Sequence, residues 1–93
     1  MLTHARLRDA VAARTGVPRS VVAHVLDTTY VVVREELLRQ GEVSFRGLFR
    51  VVPSTRVYRP LGGKLPPVRR IFLTLRPVRT LRQALSAVQL PPG

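Results

Sequence analysis

The stretch from Val43 to Arg76, VSFRGLFRVVPSTRVYRPLGGKLPPVRRIFLTLR, constrains what the rest of the chain can be. It carries eight of the sixteen basic residues and no acid. Its apolar residues alternate in short runs broken by Gly and Pro, which is the pattern of β-ribbon rather than helix. A ribbon charged in this way cannot neutralise itself, so it needs a polyanion to lie against. It also cannot bury a core alone, so the flanking residues must supply a compact base.

The flanks fit that task. The chain has 93 residues and no cysteine, so it is one small domain without disulfides or thiolate metal sites. Such chains often gain core by oligomerising. Net charge is +11, unevenly spread. Residues 1–42 set six arginines against Asp9, Asp27, Glu35, Glu36 and Glu42, a balance of +1, whereas residues 43–93 hold ten basic residues and no acid, a balance of +10. A near-neutral base and a cationic working surface follow. Fifteen of the sixteen cations are Arg, the side chain suited to bidentate phosphate contact. A coding bias or a hot habitat would also favour Arg over Lys, but neither removes the acids. Arg6, Arg8 and Asp9 stand where a secretory signal needs an apolar run, and no apolar run is long enough to span a membrane. The expectation is a cytoplasmic protein with no membrane partner.

Read in order, Thr3 is a plausible N-cap for a helix reaching about Thr15, with Leu7, Ala10 and Val11 as its stripe and Gly16 as its stop. Pro18 opens a second helix that runs to about Gln40 and stops at Gly41. The β-branched run Tyr30–Val33 could be strand, but the apolar spacing and the Glu35, Glu36 and Arg39 pairing continue through it, which favours helix. The apolar positions of this helix exceed one stripe, so a second subunit is expected to cover the remainder. Glu42–Arg46 reads as a strand, Arg46-Gly47 as a turn, and Leu48 onward as a second strand that Pro53 bends or leaves with a free edge. Residues 59–64 form a turn-rich tip. Pro66-Pro67 interrupts the return, and Val68–Arg76 alternates, with Ile71, Leu73 and Leu75 on one face. Pro77 is placed at the first position of a third helix, 77–89, striped by Val78, Leu81, Leu85 and Val88. Arg76, Arg79 and Arg82 then crowd a helix N-terminus, a placement favourable only if an anion binds there.

This order of elements resembles the HU/IHF family of bacterial DNA-bending proteins over roughly residues 2–88. LTHARLRDAVAARTGVPRSVVAHVLDTTYVVV is similar to the family's helical hairpin and Phe45-Arg46-Gly47-Leu48 to its strand-turn signature. Arg59-Pro60-Leu61-Gly62-Gly63-Lys64 is similar to the arm tip, and Leu75-Arg76 through Leu81-Arg82 to the closing strand and helix. The resemblance implies an α+β fold in an intertwined homodimer. A helical base (1–41) would carry strands and a basic β-arm (42–76) and a short C-terminal helix (77–89), all in one domain, 1–93. It implies double-stranded DNA as partner and a nucleoid-associated role. Family arms embrace DNA from the minor groove, and this family is itself a standard example of that mode of binding. Pro60 matches the proline that wedges between base pairs. Arg56, Arg59 and Lys64 match the arm cations that enter the groove, and Arg76, Arg79 and Arg82 match backbone contacts. The arm here is shorter, the Asn before the tip proline is absent, and Phe49 stands where the family has the second glycine of its turn.

From the residues alone, Pro60 is either a wedge or a turn corner. Arg56, Arg59, Lys64, Arg69 and Arg70 are either nucleic-acid contacts or a solvated edge that blocks aggregation; the missing acids favour contact. Arg46 and Arg50 are open to either contact or salt bridging. Phe45, Phe49 and Phe72 read as core or dimer interface, which argues against a single-strand binder. His4 and His24 lack spaced partners for a metal. No nucleophile, carboxylate pair or phosphate-binding glycine loop suggests an enzyme, and no cofactor or small-molecule substrate is expected. An RNA or ribosome-associated binder, an assembly protein that has lost DNA bending, and a binder of anionic membrane through Val68–Leu85 remain the alternatives.

Overall fold

Three helices and one antiparallel sheet make up the computed structural model: α1 (His4–Thr15), α2 (Arg19–Leu38), β1 (Val43–Phe45), β2 (Phe49–Tyr58), β3 (Val68–Pro77) and α3 (Arg79–Ser86). The structure describes residues 1–60, 62–63 and 65–88. The chain divides into two compact units, Met1–Glu35 and Glu36–Gly93. The expected α+β class and element order are observed.

In the first unit, α1 begins and ends as its sequence dictates. The Thr3 hydroxyl accepts from the Arg6 amide at 3.3 Å, a cap of a kind worth about 1 kcal/mol. Gly16 stops the helix in the left-handed region at φ 73°, its amide bonded to the Ala12 carbonyl. The Pro18 carbonyl accepts from Val21 and Val22 and so opens α2. The run Tyr30–Val33 is helical. Its β-branched residues cost a few tenths of a kcal/mol each relative to better helix formers, too little to break a long helix. Side-chain contacts tie α1 to α2: Arg19 lies 3.8 Å from Asp9, the His4 ring lies 3.6 Å from Asp27, and the His4 and Tyr30 rings meet edge to face at 5.6 Å. A hydrogen bond from Arg8, helped by Arg19, holds the Asp9 carboxyl below its ordinary pKa.

Val22, 4% exposed, is the one buried residue among those described. A pair of helices therefore makes almost no core by itself. The α2 face formed by His24, Val25, Thr28, Thr29, Val32 and Val33 lines an open groove of about 410 Å³. Its two threonine hydroxyls are already spent on backbone carbonyls, Thr28 on His24 at 2.9 Å and Thr29 on Val25 at 2.7 Å. With those polar groups satisfied, the two side chains can be covered by an apolar surface without losing hydrogen bonds.

The second unit opens on the end of α2, where the structure departs from expectation. The left-handed residue is Gln40, φ 62°, not Gly41. The Gly41 amide donates to Glu36 and the Gln40 amide to Leu37, both at 2.9 Å, which is a Schellman closure with Gln40 at the position glycine usually takes. Arg39 pairs with Glu36 at 3.1 Å.

The sheet order is β1-β2-β3. β1 is shorter than the expected 42–46, and β2 runs unbroken through Pro53. The reason is position: β1 pairs only with Phe49–Val51, so β2 at Pro53 is paired on its β3 side alone, and a proline costs no ladder bond on the open side. Phe45, Arg46, Gly47 and Leu48 form the β1–β2 turn, with Gly47 at φ 76° and the Leu48 amide bonded to the Phe45 carbonyl at 3.0 Å. Pro77 is not the first residue of the third helix. It ends β3 opposite Phe49, the Val78 amide adds a further bond to the Leu48 carbonyl, and α3 starts only at Arg79. Local helix preference at Pro77 yields to the tertiary ladder. Gln89 and the tail 90–93 lie outside the described residues.

Partners across an antiparallel ladder share a face. One face of this sheet therefore collects Val43, Phe45, Phe49, Val51, Pro53, Ile71, Leu73 and Leu75. Phe45 and Phe49 pack at 5.1 Å, but Ile71, Leu73 and Leu75 remain 56%, 60% and 56% exposed. The other face collects four of the five strand arginines, Arg50, Arg56, Arg70 and Arg76.

Candidate nucleic-acid interface

The register assigns each ribbon arginine to a side. Arg50 stands opposite Arg76, and Arg56 opposite Arg70. All four share the face that also holds Ser44, Ser54 and Thr74. Like charges directly across a ladder repel. Only Arg50 has an acid within reach among the described residues, Glu42 at 3.7 Å. Rings relieve the other pair in part: the Arg56 guanidinium lies 5.4 Å from the centre of the Phe72 ring and that of Arg70 5.7 Å from the centre of Tyr58. Such contacts are worth about 0.5–1 kcal/mol at exposed sites. They orient a cation but leave its charge unneutralised.

At the base of this face Ser44, Arg50, Arg76, Pro77 and Val78 line a cleft of about 210 Å³. It adjoins the start of α3, where Val78 offers no side-chain cap and the first turn has no acid. Arg79 and Arg82 belong to that helix. Free amides, an uncompensated helix dipole and the guanidinium groups of Arg50 and Arg76 favour anions over cations here.

The other candidates are placed differently. Arg46 is exposed in the β1–β2 turn. Arg69 pairs with Val57, so it lies on the apolar face, opposite to Arg70. Arg59 and Pro60 follow the end of β2, and the half-buried Pro60 accepts at its carbonyl from the Gly63 amide at 3.4 Å, which makes it a turn residue in the free protein. Lys64 lies outside the described residues. Tyr58 and Phe72 belong to the basic face, with rings edge to face at 6.1 Å, and neither is among the site residues expected from sequence. The signal is present in the alternation: in a period-two ribbon Tyr58 has the parity of Arg56, and Phe72 that of Arg70. Among the described residues no group of three His, Cys, Asp or Glu is gathered for a metal, and no helix is long and apolar enough to cross a membrane.

No family model and no curated protein matches the sequence. Solved structures do match. HU from Anabaena, crystallised with DNA, aligns over 92% of this chain and 99% of its own with a TM-score of 0.67 and 17% identity. The fold is HU-like. A Bacteroides vulgatus chain provisionally described as a bacterial DNA-binding protein aligns over 86% of this chain with a TM-score of 0.62 and 28% identity. The present chain spans about a third of that protein, 34%.

Proposed function

We propose that the protein is a non-enzymatic, architectural binder of double-stranded DNA that acts as a homodimer within the nucleoid. The observation that carries this reading is the pair of opposed arginine couples on one sheet face, Arg50 with Arg76 and Arg56 with Arg70. A folded chain does not profit from facing like charges across a ladder, and a polyphosphate removes that penalty. The HU-like fold and a neighbour solved with DNA support the same partner.

Duplex phosphates meet Arg50, Arg76, Arg79 and Arg82 at the base of the ribbon. Arg56, Arg70, Arg59 and Lys64 follow the minor groove along the arm, with Arg46 and Arg69 as flanking contacts. Affinity comes mainly from counterion release, and preference comes from how easily a sequence deforms. Pro60 at the arm tip acts as the wedge that opens a base step.

Dimerisation completes the base. Val25, Val32 and Val33 in the α2 groove and Ile71, Leu73 and Leu75 on the sheet are apolar faces that a second copy covers. Titration of an end-labelled duplex, followed by energy transfer between the ends, tests binding and bending together. The expected result is saturable binding with increased transfer. Failure to bind plain duplex at low salt would remove the proposal.

A further inference from the structure

The basic face of the ribbon is not only charged. Tyr58 is 46% exposed, Phe72 on the same face is half-buried, and the guanidinium groups of Arg70 and Arg56 lie over the two rings at 5.7 and 5.4 Å. The rings meet each other edge to face at 6.1 Å. Arg56 and Arg70 are direct cross-strand partners, so the four side chains form one contiguous cluster. A duplex backbone requires only the charges of this cluster. Phosphate contact by itself does not need the aromatic half, whose part in the free protein is to orient the two cations. Unpaired bases use both halves: rings and guanidinium planes stack on base faces while the charge holds the adjacent phosphates.

We propose that this cluster is a stacking site for unpaired bases of single-stranded DNA, with Tyr58 as the exposed platform and Arg56 and Arg70 as stacking and phosphate-holding groups. Phe72 flanks the platform edge to face. The site extends the duplex reading to strands that are locally open, and it rests on that reading only in taking the face to be a nucleic-acid surface. It is distinct from the tip, because Tyr58 is a paired strand residue opposite Val68 and Pro60 lies beyond the strand end. Base identity matters little, since every base offers a π-face.

The chain has two tyrosines and no tryptophan, so Tyr30→Phe leaves Tyr58 as the only strong emitter near 300 nm. In that background, oligothymidylate is expected to quench the Tyr58 emission, and inorganic polyphosphate is expected not to. Tyr58→Leu is expected to weaken oligothymidylate binding on the order of tenfold, the scale of one lost base stack, and to leave duplex affinity within about twofold. Tyr58→Phe is expected to retain single-strand binding, since the ring and not the hydroxyl does the stacking. Melting of each variant, followed by circular dichroism, confirms the folded state. Unchanged Tyr58 emission on saturation with oligothymidylate would overturn the inference, as would a Tyr58→Leu loss equal for single strand and duplex. Single-strand binding dependent on Tyr58 without duplex binding would uphold it and remove the architectural reading. Binding to neither would remove both.

Discussion

Arg56 and Arg70 face each other directly across the β2–β3 ladder, each over an aromatic ring and neither with an acid beside it among the described residues. In the free ribbon this arrangement is repulsive, and the proposal gives it a role in DNA binding. Arg56→Glu should separate the two. Placing a carboxylate opposite Arg70 turns a repulsive pair into an attractive one, worth about 0.2–1 kcal/mol relative to neutral pairs. The variant is expected to melt slightly higher than wild type while its duplex affinity falls on the order of tenfold, read by thermal denaturation and by titration. A variant that binds duplex as well as wild type would take Arg56 out of the interface.

The base should depend on a second copy. Val32→Asp or Val33→Asp puts an unpaired charge into the α2 groove, where burying it costs several kcal/mol. With Val22 as the only buried residue among those described, no monomer core remains to fall back on. Both variants are expected to unfold rather than yield a stable monomer. Sedimentation of the wild type at micromolar concentration is the check. A folded wild-type monomer would contradict dimerisation.

Gln40 holds a left-handed conformation at φ 62° that glycine adopts without penalty. Gln40→Gly is expected to stabilise the protein by about 1 kcal/mol, seen as a higher denaturant midpoint, with DNA affinity unchanged. The neighbouring Gly41→Ala should change stability by only a few tenths of a kcal/mol, because its added Cβ meets only the half-exposed Glu36 side chain, which can swing aside at the expense of its surface pair with Arg39.

Pro60 and Arg59 should behave differently from each other. A wedge lowers the cost of a kink, and unstacking is cheapest at nicks, gaps and mismatches. Wild type is therefore expected to prefer such duplexes. Pro60→Ala should lose most of that preference and most of the bend while keeping plain-duplex affinity. Arg59→Ala should weaken all duplexes about equally. Bending by Pro60→Ala equal to wild type in energy transfer would leave the proline as the corner of a turn, the role it already has through the Gly63 amide.

Much of the fold is legible in the amino-acid sequence. Thr3, Gly16 and the Phe45-Arg46-Gly47-Leu48 turn are local signals whose meaning does not depend on partners, and all are realised. Alternation alone separates Ile71, Leu73 and Leu75 from Phe72. Pro77 is different, because its local helix preference loses to pairing with Phe49, a long-range contact no local pattern reveals. Gly41 looks like the helix stop because glycine is the usual left-handed residue, whereas the Schellman bonds are closed one position earlier, at Gln40. Chain order groups Arg69 with Arg70, whereas the pleat sends them to opposite faces. Tyr58 shares the parity of Arg56, so the alternation alone places it on the basic face.

The salt dependence of duplex affinity tests the basic face as a phosphate-binding surface most directly. A dimer neutralising roughly six to ten phosphates should lose on the order of a thousandfold or more in affinity between about 50 and 200 mM salt. Arg56→Ala, present twice in a dimer, should make the slope of log affinity against log salt shallower by about two. A steep wild-type slope reduced in this way is the expected result. Affinity that stays flat across salt, or a slope untouched by Arg56→Ala, would contradict it.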